Sequence, residues 1–144
     1  LPCNGWTRAR LLTLAKNADE RRWTSEHTQW LDRLETERDN LREALQWAVD
    51  HSPKRLFLEL AGKLWLFWSM RGPLTEGRFW LDLAAKTCTT SANEVESDLA
   101  LNLLVGASEL AREQGDLEQA IQWKQNVLEI CRGCGDEKWE AAML

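Results

Sequence analysis

The sequence predicts an all-α fold made of tandem antiparallel helix hairpins, and three observations carry that expectation. Between Leu56 and Ala85, Leu56, Leu60, Leu64 and Phe67 keep helical spacing, as do Ala61, Trp65 and Trp68. A helix that is apolar around so much of its girth needs cover on more than one side. Arg71-Gly72-Pro73 stops it, and Leu74, Phe79, Leu81, Leu83, Ala84 and Ala85 supply a second helix able to fold back across the turn. The pattern then returns 43 residues on, setting Trp68 on Ala111, Gly72 on Gly115, Leu74 on Leu117, Gly77 on Ala120, Trp80 on Trp123 and Ala84 on Val127. A hairpin cannot bury its own apolar face, so stacked hairpins are expected to share one core. No segment sustains the alternation of a strand.

In chain order, Trp6, Ala9, Leu12 and Ala15, with Leu11, Leu14 and Ala18 beside them, mark a first helix from Trp6 to Asp19. The charged run Asp19-Glu20-Arg21-Arg22 either continues it or turns. Thr24 or Ser25 can cap a second helix running unbroken to about His51, with Trp30, Leu31, Leu34, Leu41, Leu45, Ala48 and Val49 on one side. Its polar middle is supported by charges three and four apart, Arg33 with Glu37 and Glu35 with Arg38. Asn40 is disfavoured inside a helix, so it either bonds to another helix or loop or simply faces water. Ser52-Pro53 sets a capping hydroxyl ahead of a proline at the first helical position and opens the central hairpin. Gly77 is expected at a close helix crossing, since its counterpart Ala120 is also small. Past the polar joint Thr87–Asn93, Ser91 and Glu94 have the form of a capping box. The helix they introduce runs to Glu113 and turns at Gly115-Asp116; its partner holds Leu117, Ala120, Ile121, Val127, Leu128 and Cys131 and ends before Gly133. Trp139, Ala142 and Met143 are expected to begin a last, truncated repeat. Residues 1–51 thus form an N-terminal helical linker or capping region, and 52–144 the repeats.

Charge narrows the partners. Residues 1–93 carry fourteen basic and twelve acidic side chains, whereas 94–144 carry four and eleven, so the distal part is strongly acidic and poorly suited to a phosphate backbone. Direct contact with nucleic acid is not expected. The four cysteines, Cys3, Cys88, Cys131 and Cys134, lack the density of a disulfide scaffold, and the single C-x2-C pair has no second pair to complete a zinc site. Reduced thiols in a cytoplasmic protein are the expectation. No secretory signal and no apolar run of membrane-spanning length is present. The chain opens on Leu1 and closes on Ala-Ala-Met-Leu inside an expected helix, as a segment of a longer polypeptide would.

Catalytic signatures are missing: there is no phosphate loop, no dinucleotide fingerprint and no HExxH, and neither His27 nor His51 stands beside an obvious nucleophile. Glu35, Glu37, Asp39 and Glu43 read as a solvated helix face. The expectation is therefore a noncatalytic segment without a cofactor or metal of its own. Of nine tryptophans, most fall where a helix buries them. Trp80 and Trp123, equivalent in the repeat, either line one side of the stack or are buried between repeats. Trp65 and Trp68 would instead border a pocket if the chain enclosed a small molecule between its helices.

Two resemblances sharpen this. The unit LLVGASELAREQGDLEQAIQWKQNVLEI resembles a tetratricopeptide repeat (TPR), with Gly115, Leu117 and Ala120 on pattern, and with Ala111, Lys124 and Val127 replacing the usual aromatic, aromatic and alanine. This implies a short TPR-like right-handed superhelix. Leu34, Glu35, Glu37, Asp39, Asn40, Leu41, Arg42, Ala44, Leu45 and Trp47 match LE-x-E-x-DNLR-x-AL-x-W. Arg71, Gly72, Leu74, Glu76, Gly77, Arg78, Trp80 and Leu81 match RG-x-L-x-EGR-x-WL. These stretches resemble the helical region that follows the nucleotide-binding and winged-helix parts of bacterial signal-transduction ATPases, including LuxR-type transcriptional regulators. The resemblance implies a sensor or protein-interaction segment, with ATP hydrolysis and DNA binding belonging to other parts of such a protein. Its partner would be a protein or peptide, a regulatory small molecule, or the ATPase domain itself. Asp39, Asn40, Arg42 and Arg78 are then the candidates for interdomain coupling, and Trp65, Trp68, Trp80 and Trp123 for the partner or effector surface.

Overall fold

The computed structural model describes residues 5–51, 54–90 and 97–134. Seven helices follow one another: α1 (Gly5–Glu20), α2 (His27–Thr36), α3 (Arg38–Asp50), α4 (Arg55–Arg71), α5 (Leu74–Thr90), α6 (Ser97–Glu113) and α7 (Leu117–Cys134), with no strand among the described residues. The chain is all-α.

α4 is the central rod, because buried residues such as Phe57, Leu60, Ala61, Leu64, Leu66 and Trp68 leave it few polar sides. α1, α2 and α3 pack on it from one flank and α5 and α6 from another, and α7 then packs on α6. Leu11 of α1, Trp68 of α4, Leu110 of α6 and Cys131 of α7 all belong to one buried apolar cluster. The two hairpins, α4–α5 and α6–α7, close on the two glycines that the repeat aligned. Gly72 has φ 61° and Gly115 φ 84°, a left-handed backbone that a side chain would strain. At the second turn Gly115 N–H donates to Arg112 and Asp116 N–H to Ala111, each at 2.9 Å, which is a Schellman ending. The Asp116 carboxylate then caps α7 by accepting from Gln119 N–H at 3.2 Å.

Small residues set how closely the rod is approached. A Cβ on Gly77 would stand 2.6 Å from Cβ of Trp68, and one on Gly106 would stand 2.6 Å from Cγ of Trp65. One on Gly62 would meet the Asn102 amide at 2.7 Å, and that amide donates to the Gly62 carbonyl at 2.9 Å. Gly77 is therefore the close crossing that its alignment with Ala120 suggests. Ser108, on the repeat pattern of α6, is buried and donates to the Ala120 carbonyl at 3.1 Å, so the same economy of size operates between α6 and α7.

Several local expectations change. The helix expected unbroken to His51 bends at Glu37, whose φ of −96° and ψ of 12° separate α2 from α3. The bend loses little, since Glu37 N–H still reaches Arg33 and Leu34 and its carbonyl still accepts from Leu41. It keeps both halves against α1 and α4. α2 has no side-chain cap; Thr24 instead bonds back to the Arg21 carbonyl and accepts from Glu26 N–H. Glu35 does pair with Arg38, but Arg33 lies over the Trp30 ring and Glu37 pairs with Arg10. α7 runs through Gly133 to Cys134. The Ser52-Pro53 start, the Ser91/Glu94 capping box and the repeat at Trp139–Met143 lie outside the described residues.

Candidate functional site

The bend between α2 and α3 lies against the turn between α4 and α5, and three arginines tie them. Arg71, the last residue of α4, reaches Asp32 and Glu35 of α2, each at 2.7 Å. Arg38 donates to the Gly72 carbonyl at 2.7 Å and to Glu35 at 3.3 Å, with its guanidinium 4.7 Å from the centre of the Phe67 ring. Arg42 grips Glu76 with both arms, Nε to Oε1 at 2.7 Å and Nη2 to Oε2 at 2.9 Å, and also holds Asp39 at 3.1 Å. Planar guanidinium against planar carboxylate fixes orientation as well as charge. The Arg71 bond holds the Glu35 carboxyl below its ordinary pKa, and the Glu76 bond raises that of Arg42, so each pairing favours the charged form of the shifted group.

The four coupling candidates divide. Arg42 joins the two motif stretches directly. Asp39, almost wholly exposed, touches only that same guanidinium in the recorded ion pairs. Asn40 is neither free nor interhelical: its amide donates to Glu37 at 2.8 Å and braces the bend, which also holds the Glu37 carboxyl low. Arg78 serves a different junction, bridging Asp82 at 3.0 Å and Asp116 at 3.1 Å, so it ties α5 to the turn between α6 and α7. Asp82 also accepts from the Trp123 indole at 3.3 Å.

None of the four tryptophans is an open surface ring. Trp68 is 2 % exposed, Trp80 7 % and Trp123 5 %. Trp65 is half-buried, pressed by Gly106, with its indole nitrogen buried and without a hydrogen-bond partner. Trp80 and Trp123 are thus packed between neighbouring helices, the second of the two placements considered for them, and Trp80 keeps only a small face on the surface. Phe79, the neighbour of Trp80, does project, at 61 % exposure. It stands over an open cleft of about 470 Å³ lined by Arg42, Glu43, Gln46, Glu76, Phe79 and Trp80, between α3 and α5. The floor is rigid: Trp80 meets Phe79 edge-on at 4.9 Å and Phe57 at 6.2 Å.

No protein family, curated protein or solved structure matches this chain.

Among the described residues, no three His, Cys, Asp or Glu side chains gather as a metal site. Cys88 and Cys131 are both buried, and burial pushes the Cys88 thiol up to about 12, which leaves it protonated and a poor nucleophile. No helix of the described residues is long and apolar enough to cross a membrane. Sequence reasoning did not single out Arg38, Arg71 or Phe79 as site residues. Arg38 stood only as the partner of Glu35, and Arg71 as a helix stop and a motif match. Adjacency alone gave no signal for Phe79: neighbours on a helix point about 100° apart, yet α5 buries both Trp80 and Leu81, so the sequence does not say which ring faces water.

Proposed function

We propose that this chain is a noncatalytic, TPR-like protein-interaction segment of a bacterial signal-transduction ATPase or transcriptional regulator, working in the cytoplasm. The two hairpins are on this reading the start of a right-handed superhelix. The observation that carries it is the Arg42–Glu76 clasp: the two stretches that resemble the regulator family meet in space and hold each other through one bidentate pair. A bend and a turn locked in this way move as one body, which is what a segment relaying the state of its repeats to a neighbouring domain requires.

The alternative, a small molecule enclosed between helices beside Trp65 and Trp68, finds less support. Trp68 is 2 % exposed with Gly77 pressed against its base, and Gly106 is pressed against the base of Trp65, which leaves little room for a ligand on those sides. The cleft under Phe79 is open to one side and lined by neither ring. An open groove beside a filled interior suits a macromolecular partner.

The test lies in the gene. A phosphate loop of the form GxxxxGK[ST] followed by a winged helix, encoded upstream in the same reading frame, supports the parent architecture. A frame that supplies neither overturns it.

A further inference from the structure

We propose that the groove between α3 and α5 docks a cationic amphipathic helix, seated with apolar side chains on Phe79 and Trp80 and with lysines or arginines along α3. This rests on the partner-binding reading above and names the chemistry of the partner. Three observations choose that occupant. The first is apolar: Phe79 leaves most of its ring in water above a floor of buried Trp80, itself braced by Phe57, so an anchor meets a surface that does not have to reorganise.

The second is electrostatic. Asp39, Glu43, Gln46 and Asp50 follow one another at spacings of four, three and four along α3, all exposed, forming a stripe about 16 Å long beside the groove. Among the described residues, the cation lining the groove is Arg42, and it is taken up by Glu76 and Asp39. Among the described residues, Glu43 makes no ion pair or side-chain hydrogen bond. The wall therefore presents carboxylates in excess, spaced to meet basic residues one and two turns apart on another helix. The third is the backbone: α3 and α5 have their main-chain groups bonded within helices, so an extended peptide finds no edge to pair with, whereas a helix arrives with its own backbone satisfied.

The test uses the whole chain and a fluorescent synthetic helix of about 15 residues, roughly four turns, carrying a leucine stripe flanked by lysines. A twin with glutamates in place of the lysines serves as the comparison. The expected result is saturable binding of the lysine helix, at least about tenfold weaker binding of the glutamate twin, and weakening as salt is raised. F79A should cost about tenfold in affinity, as loss of a central aromatic anchor does. E43K should weaken the lysine helix and strengthen its twin. Both side chains are exposed, and circular dichroism checks that each variant keeps its helices.

Equal affinity for the two helices overturns the proposal, as does binding that neither F79A nor E43K alters; the latter leaves partner docking intact but places it elsewhere. No binding of either helix to the unmodified chain overturns the groove as a docking site. A sedimenting dimer that F79A converts to monomer also overturns it, because the groove then belongs to a second copy. The upstream reading frame decides the parent architecture separately, so the two ideas fail on different evidence.

Discussion

The seam along α4 and the clasp at the end of the hairpins hold the same helices together by opposite means. In the seam, Gly62, Gly77 and Gly106 let side chains of the facing helix come so near that a single methyl group would collide; at Gly77 and Gly106 the contact is a tryptophan, and at Gly62 it is the Asn102 amide. In the clasp, Arg38, Arg42 and Arg71 reach across to carboxylates and a carbonyl, with Arg42 nearly half exposed to water. Dry contact scales with buried area and with the cost of any cavity, whereas an exposed ion pair is diluted by solvent. Stability should therefore reside in the seam, and the clasp should govern the relative placement of parts.

The largest expected effect breaks the seam outright. Trp68→Ala removes a ring packed on Gly77 and Leu110 and should cost about 3–5 kcal/mol in urea denaturation. A loss below about 1 kcal/mol would put Trp68 outside the core and collapse the contrast. Next comes Gly77→Leu, which fails for the opposite reason. The nearest atom is Cβ of Trp68, fixed to the α4 backbone, so the helices must separate, at about 1–3 kcal/mol. Unchanged thermal unfolding of this variant would refute the close crossing.

How much of this was legible in the sequence differs between the two regions. Helical periodicity places Leu60, Leu64, Trp68 and Leu81 in the core from spacing alone, and the 43-residue offset aligned two turns whose glycines share a left-handed backbone. Close approach left a trace too, since Gly77 aligned with a second small residue. The clasp left almost none. Arg71 finds partners 36 and 39 residues earlier, and Arg42 finds one 34 residues later. Pairings over such distances depend on how helices are set side by side, and charge spacing within one helix suggested Arg33 with Glu37 instead. The sequence left Trp80 and Trp123 open between a lined surface and burial for a related reason. Repeat equivalence says that Trp80 and Trp123 share an environment, but not whether that environment is wet.

A pH-dependent measurement probes the boundary between dry and wet. His27 is buried at the start of α2, and desolvation lowers its pKa; Arg22 and Arg71 push the same way, while Asp19 opposes them. A histidine depressed on folding binds its proton more readily in the unfolded chain. Its burial is thus harmless above the ordinary value of 6.5 and costs stability as pH falls below it. Glu35 and Glu37, held low by Arg71 and Asn40, add losses only further down, below their ordinary 4.5. Denaturation midpoints should begin to fall near pH 6.5, and His27→Gln should erase that first limb while leaving the second. A first limb that survives the substitution would mean that another group sets it.

The smallest effect on stability belongs to the clasp, and it is the most telling about function. Arg42→Ala deletes both arms of a well-formed pair, yet Arg42 is solvated, and Arg38 remains 3.9 Å from Glu76. The expected loss is no more than about 1 kcal/mol, shrinking further in high salt. What should change is local freedom. Without the guanidinium, the first turn of α5 keeps the longer Arg38–Glu76 pairing at 3.9 Å, while the shorter bonds of Arg38 and Arg71 act on Gly72 and on the α4 side of the turn. Amide hydrogen exchange at residues 77–80, whose bonds run back into the first turn of α5, should then quicken severalfold while the buried amides of α4 keep their protection. Exchange that quickens equally along α4 would make the clasp part of the seam. Exchange unchanged in both would leave Arg42 without a coupling role.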